Sequence, residues 1–93
     1  MKSIIQTNKQ CFLCGSQSDL HEHHIFYGTA NRKWSEEYGL KVWLCPQHHN
    51  MSAAGVHFNR DFDMALKALA QAVFEKVVGT HEEFMRIFGK NWI

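Results

Sequence analysis

At 93 residues the chain has room for one small domain with one modest core, and domains of this size commonly need a staple such as disulfides, a metal or a partner chain. Lys and Arg number 10 against 9 Asp and Glu, a formal charge of +1, so overall charge gives no argument for a nucleic-acid partner, and any such surface has to be a local patch. Three cysteines cannot all pair with one another, which disfavours a disulfide framework and favours metal ligation or one reactive thiol in a reducing, cytoplasmic compartment; no apolar run reaches the length of a membrane span, and the opening MKSIIQTNKQ lacks the apolar stretch of a signal peptide.

In chain order, CFLCG at residues 11 to 15 reads as a tight turn of the zinc-knuckle kind, with Gly15 relieving the backbone after the second cysteine. HEHHIFYG follows as a short strand ending on the β-leaning Ile25, Phe26 and Tyr27. GTANRKWSEEYG is polar and long for a hairpin loop, with space for one helical turn around Ser35, Glu36 and Glu37. GLKVWLCP is a second strand, with Val42 and Leu44 on one face and Lys41 and Trp43 on the other. Pro46 suits a first helical position and predicts a short helix from there. Asn59 is a good N-cap for a helix over 60–78, along which Phe62, Leu66, Leu69, Val73 and Val77 recur at helical spacing as a core-covering stripe, and Gly79 reads as its stop. THEE is a capping box that opens a last helix carrying Phe84, Ile87 and Phe88, closed by Gly89. The expected fold is therefore a single α+β domain over 1–93: a hairpin with a short helix, then a helical C-terminal extension over 61–93 whose tail docks Trp92 and Ile93.

The chemistry is crowded into residues 11 to 57. Cys11 and Cys14 have C-x-x-C spacing, and Cys45 and His48 repeat it as C-x-x-H. Two such knuckles can close a tetrahedral Cys3His site, a donor set that favours Zn2+ and acts structurally because no coordination position stays open. Histidine is the unusual entry in the composition, at seven, and five of these fall in the clusters HEHH and HH. A strand alternates its side chains, so His23 and His24 face opposite sides, and one can coordinate an ion while the other addresses a substrate. Imidazoles from His23, His49 and His57 would leave open positions on a divalent ion, the mark of a catalytic site. His21 and His81 are read as ordinary exposed or core histidines.

CFLCG, LHEHHIF, VWLCPQHH and the later VH, in that order, resemble the HNH endonuclease family, whose core is the ββα-metal (His-Me finger) motif, over residues 11 to about 60. EHHIFYGTANRK with GLKVWLCPQHHN looks most like small HNH proteins of bacteriophages and prophages. The resemblance implies a ββα-metal core with a zinc knuckle, and DNA as the partner. His23, His49 and His57 would hold a catalytic Mg2+, Mn2+, Ni2+ or Zn2+, and His24 would be the general base for phosphodiester hydrolysis, leaving a 5′-phosphate and a 3′-hydroxyl. The asparagine that the family carries before its second strand has its nearest substitute in Asn31, with Asn50 a second candidate, as the residue orienting the base. Arg32 and Lys33, with Lys41 after them, are the candidate phosphate contacts, while Trp34 and Trp43 are read as packing residues. One active site in a monomer or weak homodimer implies nicking. The alternative is a zinc-stabilised module that binds DNA or protein without catalysis, in keeping with the near-neutral charge.

Overall fold

The computed structural model describes residues 1–50 and 55–93; residues 51–54, part of the loop expected between His49 and His57, lie outside the described residues. Within them the protein is a small α+β fold with a two-stranded antiparallel sheet and four helices. The order is β1 (His21–His24), α1 (Arg32–Tyr38), β2 (Lys41–Leu44), α2 (Pro46–His49), α3 (Arg60–Val77) and α4 (His81–Phe88). Among the described residues no helix is long and apolar enough to cross a membrane.

Strand β1 is HEHH itself, displaced from the β-leaning Ile25–Tyr27 that propensity marks. Pairing decides this: His21, Glu22, His23 and His24 stand opposite Leu44, Trp43, Val42 and Lys41, while Ile25 only extends the ladder through its N–H to the Leu40 carbonyl at 3.0 Å. Beyond it Ile25 and Phe26 turn into the core, with 0% and 2% of their surface exposed. The polar insert between the strands is also more regular than one helical turn. It folds as the seven residues of α1, closed by Gly39 in the left-handed region at φ 70°. A Cβ at Gly39 would run into the Lys2 carbonyl, so the close approach of the N-terminal segment requires glycine there.

The C-terminal pair follows its sequence signals closely. The Asn59 side chain caps α3 by accepting the Phe62 N–H at 3.1 Å. Thr80 and Glu83 form both halves of the capping box on α4, at 3.1 and 3.0 Å. The buried stripe of α3 is Leu66, Ala70 and Phe74, not the full run expected, since Leu69 and Val77 stay 39% and 63% exposed. Rows at i, i+4 centred on the large Phe74 ring win over the Leu and Val row, because Phe74 meets Phe84 at 5.4 Å and Phe88 at 6.2 Å between ring centroids. Gly79 does not adopt the left-handed conformation of a helix stop; a Cβ there would crowd the Glu83 carboxylate of the capping box at 3.2 Å. Phe26 packs on Phe84 and Phe88 and so joins the hairpin to this helical layer. The C-terminal segment docks through fully buried Gln71, whose amide oxygen accepts the Trp92 N–H at 2.6 Å; Trp92 packs partly buried against the core, but Ile93, expected to dock with it, stays 65% exposed.

Candidate metal centre

The two knuckles meet at one end of the hairpin. Cys11 sits in a turn whose N–H reaches the Ser16 carbonyl at 2.7 Å and whose carbonyl takes the Gly15 N–H at 2.9 Å; the Phe12 N–H then ties it to the Trp43 carbonyl of β2 at 2.8 Å. Cys45 is the N-cap of α2, Pro46 fills the first helical position, and His48 follows on the same turn. Cys11, Cys14, Cys45 and His48 form a group whose ligand atoms all lie within 4.8 Å of one another. The Cys14 and Cys45 sulfurs are 3.7 Å apart, and His48 Nδ1 lies 3.3 Å from the Cys45 sulfur and 3.7 Å from that of Cys11. Zn–S bonds of about 2.3 Å at tetrahedral angles put sulfurs about 3.8 Å apart, so the cluster has the dimensions to hold a metal such as zinc. Desolvation alone would raise the Cys11 thiol, but the Cys45, Cys14 and Leu13 N–H groups and the Cys14 side chain outweigh it and bring the pKa to about 6, toward the thiolate a metal needs.

Adjacent residues on a helix point about 100° apart, so His49 leaves this cluster as His48 enters it. The returning chain lies back on α2, with the Val56 N–H on the His48 carbonyl at 2.8 Å and the His57 N–H on that of His49 at 3.2 Å. This brings His57 beside His49, their Nε2 atoms 3.2 Å apart. His23 closes the triangle from β1, 5.3 Å from each ring between centroids. His23, His49 and His57 form a second group that could hold an ion. Nitrogens at about 2.1 Å from a tetrahedral ion stand about 3.4 Å apart, close to the 3.2 Å between His49 and His57, and the three ligand atoms all lie within 4.8 Å of one another. The His23 Nε2 atom is buried and has no hydrogen-bond partner among the described residues, a costly state that a coordinated ion would relieve. Burial, then the His49 and His57 rings, bring the His23 pKa down to about 3; burial, His57 and His21 bring His49 to about 4. Both are therefore neutral at pH 7, as a metal ligand must be.

Strand alternation puts His24 on the other face, with Lys41 opposite it. His24 is 9% exposed, and its Nε2 lies 2.8 Å from Glu36 Oε1 of α1. Lys41 Nζ, nearly buried, binds both Glu36 oxygens at 3.1 and 2.9 Å and Glu22 at 3.3 Å. The Met1 amino group, His24 and Lys41 hold the Glu36 carboxyl well below the ordinary carboxylate range. The two faces come together at a cleft that His23, His49 and His57 share with His24, Arg32 and Tyr27. A neighbouring cleft joins His24 to Arg32, Lys33 and Thr29.

Arg32 and Lys33 thus lie beside His24, at the start of α1, and the Lys33 ammonium covers Trp34 at 4.7 Å. Lys41 is committed to the glutamates. Asn31 is the N-cap of α1 and makes no capping hydrogen bond; Asn50 ends α2. Trp34 stacks on Tyr38, and Trp43 is half-buried under Lys9. His81 pairs with Glu75 at 2.9 Å, away from the cleft. His21, read as ordinary, is a partner of the second cluster: its Nδ1 lies 2.9 Å from His49 Nδ1, which leaves His49 Nε2 to face His57. Its only advance signal was its period-two spacing from His23 on the strand. Glu36 carried no signal at all, since its link to His24 needs the folded α1. Comparison with protein-family models, curated proteins and solved structures finds no match, so the reading of this centre rests on its own geometry.

Proposed function

We propose that the protein is a metal-dependent DNA endonuclease of the ββα-metal type that nicks duplex DNA, with a structural zinc held by Cys11, Cys14, Cys45 and His48. The observation that carries the reading is the triangle of His23, His49 and His57, which lines a cleft that also holds His24 and Arg32. An ion bound by that triangle would supply positive charge to the scissile phosphate and the leaving oxygen. His24 takes a proton from water; the water oxygen bonds to phosphorus, the bond to the 3′-oxygen breaks and that oxygen takes a proton from solvent, leaving a 5′-phosphate and a 3′-hydroxyl. The Arg32 guanidinium and Lys33 ammonium orient flanking phosphates. An imidazole suits proton abstraction near neutral pH.

The test is nicking of supercoiled plasmid with Mg2+, Mn2+, Ni2+ or Zn2+, wild type against His24→Ala. Loss of at least about 100-fold in the variant is expected for a general base, and equal nicking by both proteins sinks the assignment. A second reading, a zinc-stabilised module that binds without cleaving, draws on Glu22, which lines both clefts, and Glu36, which lines the one beside Arg32 and Lys33, where carboxylates repel phosphate. It predicts DNA or protein binding and no nicking with any of the four ions.

A further inference from the structure

We propose that Glu36 is the positioning residue for His24, holding the proton on Nε2 so that Nδ1 is the basic nitrogen turned to use. The inference rests on the nuclease reading for its consequence in catalysis, but not for its structural content. An ionised carboxylate only accepts hydrogen bonds, so the proton shared between Glu36 Oε1 and His24 Nε2, 2.8 Å apart, belongs to the imidazole. A neutral imidazole has one donor nitrogen and one acceptor, and fixing the donor at Nε2 fixes the lone pair at Nδ1. Glu22 is no substitute, since its nearest oxygen is 3.9 Å away.

The fold also keeps Glu36 ionised and in place. Lys41, 7% exposed, meets both of its oxygens from the neighbouring strand. Ser35, the preceding residue, is fully buried; its hydroxyl donates to the Phe26 carbonyl at 2.7 Å and accepts the Phe26 N–H at 3.0 Å. These two bonds pin α1 to the chain leaving β1 and set the register that carries Glu36 to His24. The arrangement has the logic of a carboxylate that orients a histidine base without itself taking the proton. It performs the orienting task that the sequence assigns to Asn31.

The experiment is a long-range proton–nitrogen correlation spectrum of the 15N-labelled, zinc-loaded protein, with His24 assigned by comparison with His24→Ala. The expected wild-type spectrum shows His24 with Nε2 protonated and Nδ1 pyridine-like; a proton on Nδ1 overturns the proposal whatever any variant does. Glu36→Gln keeps the shape of the side chain but can donate as well as accept, so His24 should populate both tautomers. Nicking kcat should then fall about 10- to 100-fold with KM within about twofold, a smaller loss than His24→Ala gives. An unchanged tautomer in a folded Glu36→Gln also overturns the proposal, and so does an altered tautomer with unchanged kcat in an active enzyme. If wild type and His24→Ala nick alike, the nuclease reading fails, and the wild-type tautomer still decides whether Glu36 holds the ring.

Discussion

At the residue scale, the second histidine cluster makes a demand on a side chain that touches no ion in it. His49 offers Nε2 toward His57 only while its Nδ1 is occupied, and the occupant is His21 at 2.9 Å. Outer partners of this kind fix the tautomer and orientation of a ligand ring, and their loss typically costs about 10- to 100-fold in metal affinity. His21→Ala should therefore weaken ion binding at His23, His49 and His57 by about that factor while the Cys3His cluster keeps its metal. Titration with Co2+ after the cysteine cluster is filled, followed by absorption and calorimetry, measures the two sites separately. Unchanged affinity would show that His21 only packs against His49. The candidate ligands were legible in the sequence because C-x-x-C, C-x-x-H and the histidine doublets are local patterns. His21 and Glu36 were not, because each acts through a partner 28 or 12 residues away that only strand register and helix docking bring near.

At the scale of elements, the same division holds. The two C-terminal helices declare themselves through Asn59 and the Thr80–Glu83 box, whose hydrogen bonds lie within one turn. Helix α1 does not: RKWSEEY has no side-chain cap and no acidic residue in its first turn. Its stability comes from tertiary contacts, chiefly the paired Ser35–Phe26 hydrogen bonds and the Leu40 N–H on the Ser35 carbonyl at 2.8 Å. Ser35→Ala tests this. It leaves the buried Phe26 N–H without its partner, a loss of about 1–3 kcal/mol. For a chain of this size each 1 kcal/mol corresponds to roughly 4–8 °C in Tm. The variant should also loosen the Glu36–His24 contact, so nicking should fall further than the change in folded fraction explains. Denaturant and thermal unfolding together with plasmid nicking read both effects, and a Tm within about 2 °C of wild type would show that the Ser35 hydrogen bonds do not anchor α1.

At the scale of the whole molecule, α2 divides two duties between adjacent residues. His48 belongs to the cysteine cluster that clamps the knuckle to the hairpin, where Cys11 and Cys45 are part of the same buried core as Phe26, Phe74, Phe84 and Phe88, whereas His49 faces the cleft. His48→Ala should thus lower Tm and loosen zinc, and His49→Ala should spare zinc and abolish nicking; equal loss of stability without a separate loss of activity contradicts two sites. Acid acts on both clusters in one direction. Cys11 falls from 9.0 unfolded to about 6 folded, and His23 and His49 from 6.5 to about 3 and about 4. Despite the Ser16 N–H, desolvation and the Cys11 and Cys45 thiols raise Cys14, which therefore titrates above this range in the metal-free protein. Between its unfolded and folded pKa each lowered group binds more protons unfolded than folded, so stability rises with pH across that interval. The Cys11 contribution is complete above about pH 9 and lost through pH 6; those of the histidines are complete above about pH 6.5 and lost as pH falls toward 4 and 3. Protons also compete with metal for thiolate and imidazole, which adds to the same trend. Thermal melts from pH 8 down to pH 4, with a zinc indicator present, should show Tm falling throughout and zinc appearing in solution as it falls. A chelator at pH 8 should produce a comparable loss without acid, because it removes the clamp while leaving the histidines neutral. A Tm independent of pH and of chelator would mean that the aromatic core alone holds the fold, and that the cysteine cluster is no staple.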